Sequence, residues 1–207
     1  MKSSGEQNKM SEDFLPELRE LIACSIPIRN CTKNGEVSRN VMLEEWTYEK
    51  DLLTGELKRG EQISCIEIKD LPQNIFVFKV DAFPQPQALF NDVKEVRKRA
   101  DFILIANGNN GQKRIIFIEM KRTKDSDHGI VSQLRGAICI MDYCNSILKN
   151  FWAESAMIKG YEYRFVSISS ASGKHTTHRA DDPLHNIPEN RLRLKGNSFT
   201  YRQLIKY

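Results

Sequence analysis

Two strongly apolar runs, Arg99–Ala106 (RADFILIA) and Lys113–Arg122 (KRIIFIEMKR), stand on either side of the segment Asn107–Gly111 (NGNNG). Asn and Gly tolerate positive φ, so such a segment between runs rich in β-branched residues predicts a hairpin. The next stretch carries Ile130, Leu134, Ala137, Met141, Cys144, Leu148 and Trp152 at spacings of three and four, which predicts one long helix over roughly 127–154. Hairpin and helix are expected to share one core. It would be built from Ile103 or its neighbours Phe102 and Leu104, with Ile116, Ile118, Ile138, Met141 and Val166. Trp46 and Trp152 are read as core residues as well.

The rest of the chain fits around that unit. Residues 1–12 read as a polar, flexible tail, and Glu12–Cys24 carries a helical stripe with Pro16 in its first turn. Val41–Leu53 reads as a second helix, while Ile63–Lys69, Ile75–Ala82 and Tyr161–Ser170 read as strands. Residues 171–190 form a polar loop holding His175, His178 and His185, and Arg191–Tyr207 adds a short strand and a terminal helical turn. This order of elements indicates a mixed α/β fold. The 207 residues divide into the tail and a single domain over 13–207, with an N-terminal elaboration (13–62) and a basic C-terminal tail (171–207).

With 40% hydrophobic and 28% charged residues, the composition excludes a disordered chain. No run approaches the roughly 20 apolar residues of a membrane span. Met1–Asp13 has no signal-like apolar segment, and the five cysteines show no CxxC pairing. Reduced thiols in a cytoplasmic protein with no membrane association are therefore expected. The net charge of +4 is unevenly spread. Residues 1–70 hold 10 Lys/Arg against 14 Asp/Glu, residues 94–124 nine against three, and residues 171–207 seven against three. Such a distribution offers one basic face to a polyanion.

Strand alternation then places three polar residues together. In a strand, residues two apart share a face, so Glu119 and Lys121 point one way and Ile116, Ile118 and Met120 the other. If Ala106 pairs with Gln112, Asp101 pairs with Phe117, on the face of Glu119 and about 7–8 Å from it on the diagonal. A one-residue slip would break this arrangement. Two carboxylates and a lysine at the end of an apolar hairpin call for a charged partner. The natural one is a hard divalent cation such as Mg²⁺. His175 and His178 have a spacing that suits a transition metal on a helix, but no third ligand accompanies them.

Arg99-x-Asp101, an apolar run, and a second apolar run ending Glu119-x-Lys121 together resemble the PD-(D/E)XK nuclease superfamily. Ser132-Gln133-Leu134 on the following helix is similar to the Gln-bearing helix of many of its members. The resemblance covers roughly residues 95–170, and Ala100 stands where the motif's proline would be. It implies a restriction-endonuclease-like αβββαβ core, a mixed central sheet flanked by helices. It also implies Mg²⁺-dependent hydrolysis of nucleic-acid phosphodiesters, DNA before RNA, with Mn²⁺ able to substitute. Asp101 and Glu119 would ligate the metal, Lys121 would be the catalytic lysine, and Gln133 would help position the water. Members often add an acidic residue from an upstream helix, for which Glu17, Glu20, Glu44, Glu45 and Glu95 compete.

Arg97, Lys98 and Arg99 before the site, with Arg122, Lys124 and Lys174 after it, are the candidates for phosphate contacts. No base-reading motif is present, so a second copy of the chain or a partner subunit is expected to direct targeting. Members of this size serve in restriction, repair, recombination or defence against mobile elements. The alternative is an inactive nuclease-fold module that binds nucleic acid or a partner protein. The intact set of Asp101, Glu119 and Lys121 speaks against it.

Overall fold

The computed structural model describes residues 14–33, 36–50, 57–82, 90–91, 93–108, 111–121, 126–169 and 184–206. A short helix α1 (Pro16–Leu21) opens the fold with Pro16 in its first turn, where a missing N–H costs little. Three strands follow, β1 (Arg29–Lys33), β2 (Glu36–Lys50) and β3 (Leu57–Lys69). They form an antiparallel sheet that β9 (Ser198–Thr200) extends in parallel beside β3. A second sheet has the order β4 (Asn74–Lys79), β5 (Phe102–Asn107), β6 (Lys113–Lys121), β7 (Glu162–Ser169), β8 (Leu192–Lys195). Its first three strands are antiparallel neighbours, and β7 and β8 add in parallel. The long helix α2 (Asp127–Phe151) makes the crossover from β6 to β7, and α3 (Tyr201–Leu204) ends the chain. The fold is mixed α/β with two mixed sheets.

The hairpin strands are apolar on both faces, so both faces are covered. Odd-numbered residues Ile103, Ile105, Ile115 and Phe117 pack with Leu134, Ala137, Met141 and Leu148 of α2. Even-numbered residues Phe102, Leu104, Ile116 and Ile118, together with Val166, pack with Val41, Leu43, Ile66 and Ile68 of the other sheet. The single core expected between hairpin and helix is therefore two cores, because β5 and β6 have no solvated face. Residues 41–53, expected as a second helix, belong in their described part to β2. Val41 and Leu43 are fully buried and Met42 is not, a period of two imposed by pairing with β3 and packing on the second sheet. The two tryptophans also depart from expectation. Trp152 follows α2 at 39% exposure with its indole N–H donating to Glu20, and Trp46 is only half-buried. All five cysteines are free thiols, as the spacing predicts.

Helix α2 is fixed at its start and in its middle. The Ser126 hydroxyl caps it by accepting the Gly129 N–H at 3.1 Å, and Asp127 adds a carboxylate to its first turn. Asp127 bonds both Arg191 and Arg193 at 2.8 Å, and Arg191 donates to Ser167 of β7. At mid-length the helix passes so close to the chain entering β5 that a Cβ on Gly136 would lie 1.8 Å from the Lys98 carbonyl oxygen. Gly136→Ala should therefore push α2 off the sheet and cost about 1–3 kcal/mol, read as a lower denaturant midpoint in urea melts.

Candidate functional site

The carboxylates sit where the hairpin ladder stops. The last pair between β5 and β6 is Phe102↔Ile118, yet β6 runs on to Lys121, paired on its other side with Ser167, Ile168 and Ser169 of β7. Glu119, Met120 and Lys121 therefore border a gap beyond the start of β5, and Asp101 fills it. The Asp101 amide donates to the Ile118 carbonyl at 3.2 Å, and its own carbonyl accepts the Val80 N–H at 2.8 Å. Its side-chain Oδ2 accepts the Met120 N–H at 2.6 Å, taking the place of a ladder partner. Asp101 is thus held by its backbone and side chain just before β5 begins, beside the last residues of β6 and just past the end of β4.

The register differs from the expected one without changing the face. Ala106 pairs with Arg114, two residues further on than the expected Gln112, and Ile103 rather than Asp101 lies opposite Phe117. The turn is wider than expected: Gly108 donates to the Gln112 carbonyl, and Gly111 supplies a positive φ of 76°. A shift of two preserves strand parity. By parity Glu119 and Lys121 remain on one face of β6, and Asp101 comes nearer to Glu119 than the diagonal arrangement would allow.

Glu45 completes the group. It follows Val41 and Leu43 along the inward face of β2, at a register shift in the pairing with β3 between Glu45 and Trp46. Bulges of this kind re-aim side chains. The Glu45 carboxyl shares a hydrogen bond with Asp101 and acts electrostatically on Glu119. Among the five acidic residues that competed for this place, the others are engaged elsewhere or lie apart. Glu95 bonds Lys98 and Ser132, Glu44 bonds Trp46 and Arg59, Glu20 accepts from Trp152, and Glu17 lies on α1. Sequence offered Glu45 without distinguishing it, because its distance from Asp101 is set by the approach of two sheets.

Burial governs the electrostatics. Glu119 is 1% exposed and Asp101 7%. Burial, followed by the Glu119 and Glu45 charges, pushes the Asp101 carboxyl well above the usual range. Burial raises Glu119 to about 7, against the opposing pull of Lys121. Glu45 is raised too, mainly by burial. The Asp101 carboxyl also bears on Glu119; the Lys121 ammonium lies 2.7 Å from Glu119 Oε1, but neither Glu119 oxygen has a well-aligned hydrogen bond. The contact is an ion pair at a poor angle, which attracts without satisfying the carboxylate. Buried oxygens left in that state are costly.

The remaining candidates are placed less centrally. Gln133 is half-buried on α2 beside Leu134, and it is not among the leading influences on either buried carboxyl. Lys98 is exposed and pairs with Glu95 at 2.6 Å. Arg97 is half-buried, and burial lowers the Arg99 guanidinium from its usual value. Arg122, Lys124 and Lys174, with His175 and His178, lie outside the described residues. His185 is buried, its Nδ1–H donating to the Asn190 carbonyl at 2.6 Å.

Oxygen donors alone suit a hard cation, and the orphaned Glu119 oxygens leave room for one in the hydrogen-bond inventory. Among the described residues no group of three or more His, Cys, Asp or Glu forms a ready metal cage. A Mg²⁺ site that keeps several waters needs only one or two carboxylates, so the donor set fits. Among the described residues no helix is long and apolar enough to cross a membrane. Compared with known proteins, the chain matches no family model, no curated protein and no solved structure.

The raised carboxyls link stability to pH. In EDTA, a carboxyl lifted from 4.5 to about 7 holds its proton more tightly in the folded state. Its contribution is fully present below pH 4.5 and is lost as pH rises through about 7. Thermal melts in EDTA should show Tm falling across that window, and Glu119→Gln should flatten the decline. At pH 8, Mg²⁺ should raise Tm in the wild type and much less in Glu119→Gln.

Proposed function

We propose that this chain is a metal-dependent nuclease that hydrolyses nucleic-acid phosphodiester bonds, DNA in preference to RNA, on a core of the PD-(D/E)XK kind. The observation that carries the reading is the buried, under-bonded Glu119 beside Asp101, Glu45 and Lys121 at the end of the hairpin. The order α1, β4, β5, β6, α2, β7, with β1, β2 and β3 inserted after α1, is compatible with the αβββαβ sequence that the resemblance implies.

In this reading Asp101 and Glu119 hold Mg²⁺, or Mn²⁺ in its place, and Glu45 joins them through Asp101. The ion supplies a bound water of lowered pKa and neutralises charge on the phosphoryl oxygen. Lys121 leans on Glu119 and holds its positive charge at the edge of the site, 22% exposed, where charge develops in the transition state. Burial by α2 and the second sheet keeps the carboxyls in a low-dielectric setting, where each charge acts over a greater range. Asp101, fixed by the Met120 amide, keeps the acidic group in one arrangement. The basic run Arg97–Arg99 just before Asp101 would supply positive charge for phosphate contacts.

Cleavage of labelled DNA and RNA, single- and double-stranded, tests this with Mg²⁺, Mn²⁺ or EDTA. Glu119→Gln and Lys121→Ala should each lower the Mg²⁺-dependent rate by about 10²–10³. Glu45→Gln should lower it as well, with part of the loss recovered at higher Mg²⁺. DNA binding in EDTA should survive Glu119→Gln or tighten, because an unmetallated carboxylate repels phosphate. Wild-type cleavage rates in Glu119→Gln would remove this reading and favour a nucleic-acid-binding module.

A further inference from the structure

On the other face of β2 from Glu45 lies an open cleft of about 270 Å³. Its apolar wall includes Ile26, Met42 and Trp46, and its rim carries the cations Arg29, Arg59 and Lys79. The Arg59 guanidinium lies over the Trp46 ring with Cζ 3.4 Å from the centroid. Glu44 ties the two together, accepting from the Trp46 indole N–H at 3.3 Å and from Arg59 at 3.1 Å. Guanidinium and indole therefore form a pre-organised stack, which Glu44 holds in place without a ligand, and its outer face is the platform. Flat aromatic and guanidinium surfaces are what unpaired bases stack on, and three cations around one carboxylate suit a phosphodiester strand.

The cleft and the carboxylates are neighbours across one strand. Trp46 follows Glu45 directly at the register shift in β2. Lys79 joins the two places: it lines the cleft, pairs with Asp81 at 3.3 Å, and its charge bears on Glu45.

We propose that this cleft receives one unpaired nucleotide of the substrate strand, its base against the Trp46–Arg59 platform and its phosphate at Arg29 and Lys79. This rests on the nuclease reading and narrows it to single-stranded DNA or to strands with an unpaired nucleotide next to the scissile bond. A continuous duplex keeps its base faces stacked inside and cannot present one to the platform.

The test uses the full chain in EDTA, which stops hydrolysis, with fluorescently labelled single-stranded and duplex DNA of equal length. Trp46→Ala should weaken single-strand binding about 10- to 100-fold and leave duplex binding within a factor of two, and Trp46→Phe should recover most of the loss. Arg59→Gln, which removes the charge and shortens the side chain, should weaken single-strand binding in the same direction and serves if Trp46→Ala fails to fold. Equal single-strand affinity in a folded Trp46→Ala, or in Arg59→Gln, overturns the proposal. So does an equal loss on both DNAs. If the wild type cleaves DNA with Mg²⁺ while these variants bind normally, only the cleft proposal fails. If the wild type cleaves no nucleic acid under any condition, the nuclease reading fails and takes this one with it.

Discussion

A β-hairpin that is apolar on both faces cannot leave either face in water, and the arrangement of the whole molecule follows from that constraint. One face of β5 and β6 takes α2, and the other takes the sheet of β1, β2, β3 and β9. Each fully buried Ile or Phe contributes roughly 1.5–3 kcal/mol relative to exposure, so a dozen such residues fix both layers on the hairpin. Close approach matters on the helical side, where Gly136 lets α2 pass against the backbone at Lys98. The covering layers leave only the end of the hairpin for polar chemistry. There β5 has not yet begun and β6 has not yet finished.

The acidic group at that end is destabilising as it stands. Three carboxyls and one lysine share a small, largely buried space, and all three carboxyls are raised from their usual values. A folded chain can meet such a conflict by keeping protons or by taking up a cation. Binding free energy from a cation would then offset the strain of burial, in the manner of sites whose stability is linked to their metal. The surrounding bonds are arranged to hold the group still. The Met120 amide fixes Asp101, and Asp127 with Arg191 anchors the start of α2 to Ser167, the residue paired with Glu119.

The second sheet does more than cover the hairpin. Its inward face supplies Val41 and Leu43 to the core and then Glu45 to the carboxyl group, and across the same strand Trp46 and Arg59 form a stacked pair. One irregular stretch of β2 thereby separates an acidic place from a basic and aromatic one. In the proposed reading, a polyanionic strand would meet the basic and aromatic side directly and the acidic side only through a cation.

How much of this was legible in the chain depended on whether the deciding interaction was local. Strand alternation is local, so the common face of Glu119 and Lys121 could be read from residue parity and survived a two-residue error in the pairing. The stripe of α2 and its start at Ser126 were likewise written in neighbouring residues. Residues 41–50 were misread because short apolar runs do not by themselves separate helix from strand, and only pairing with β3 selects the extended form. The second core was missed for a related reason: apolar residues on both faces announce burial without saying what buries them. Glu45 was one acidic residue among five until two sheets met. By itself, then, the sequence determined which side chains point together along one strand or one helix, since backbone geometry alone sets those periods. Only the tertiary structure decided which of them meet across elements, because that depends on register, bulges and the packing of layers far apart in the chain.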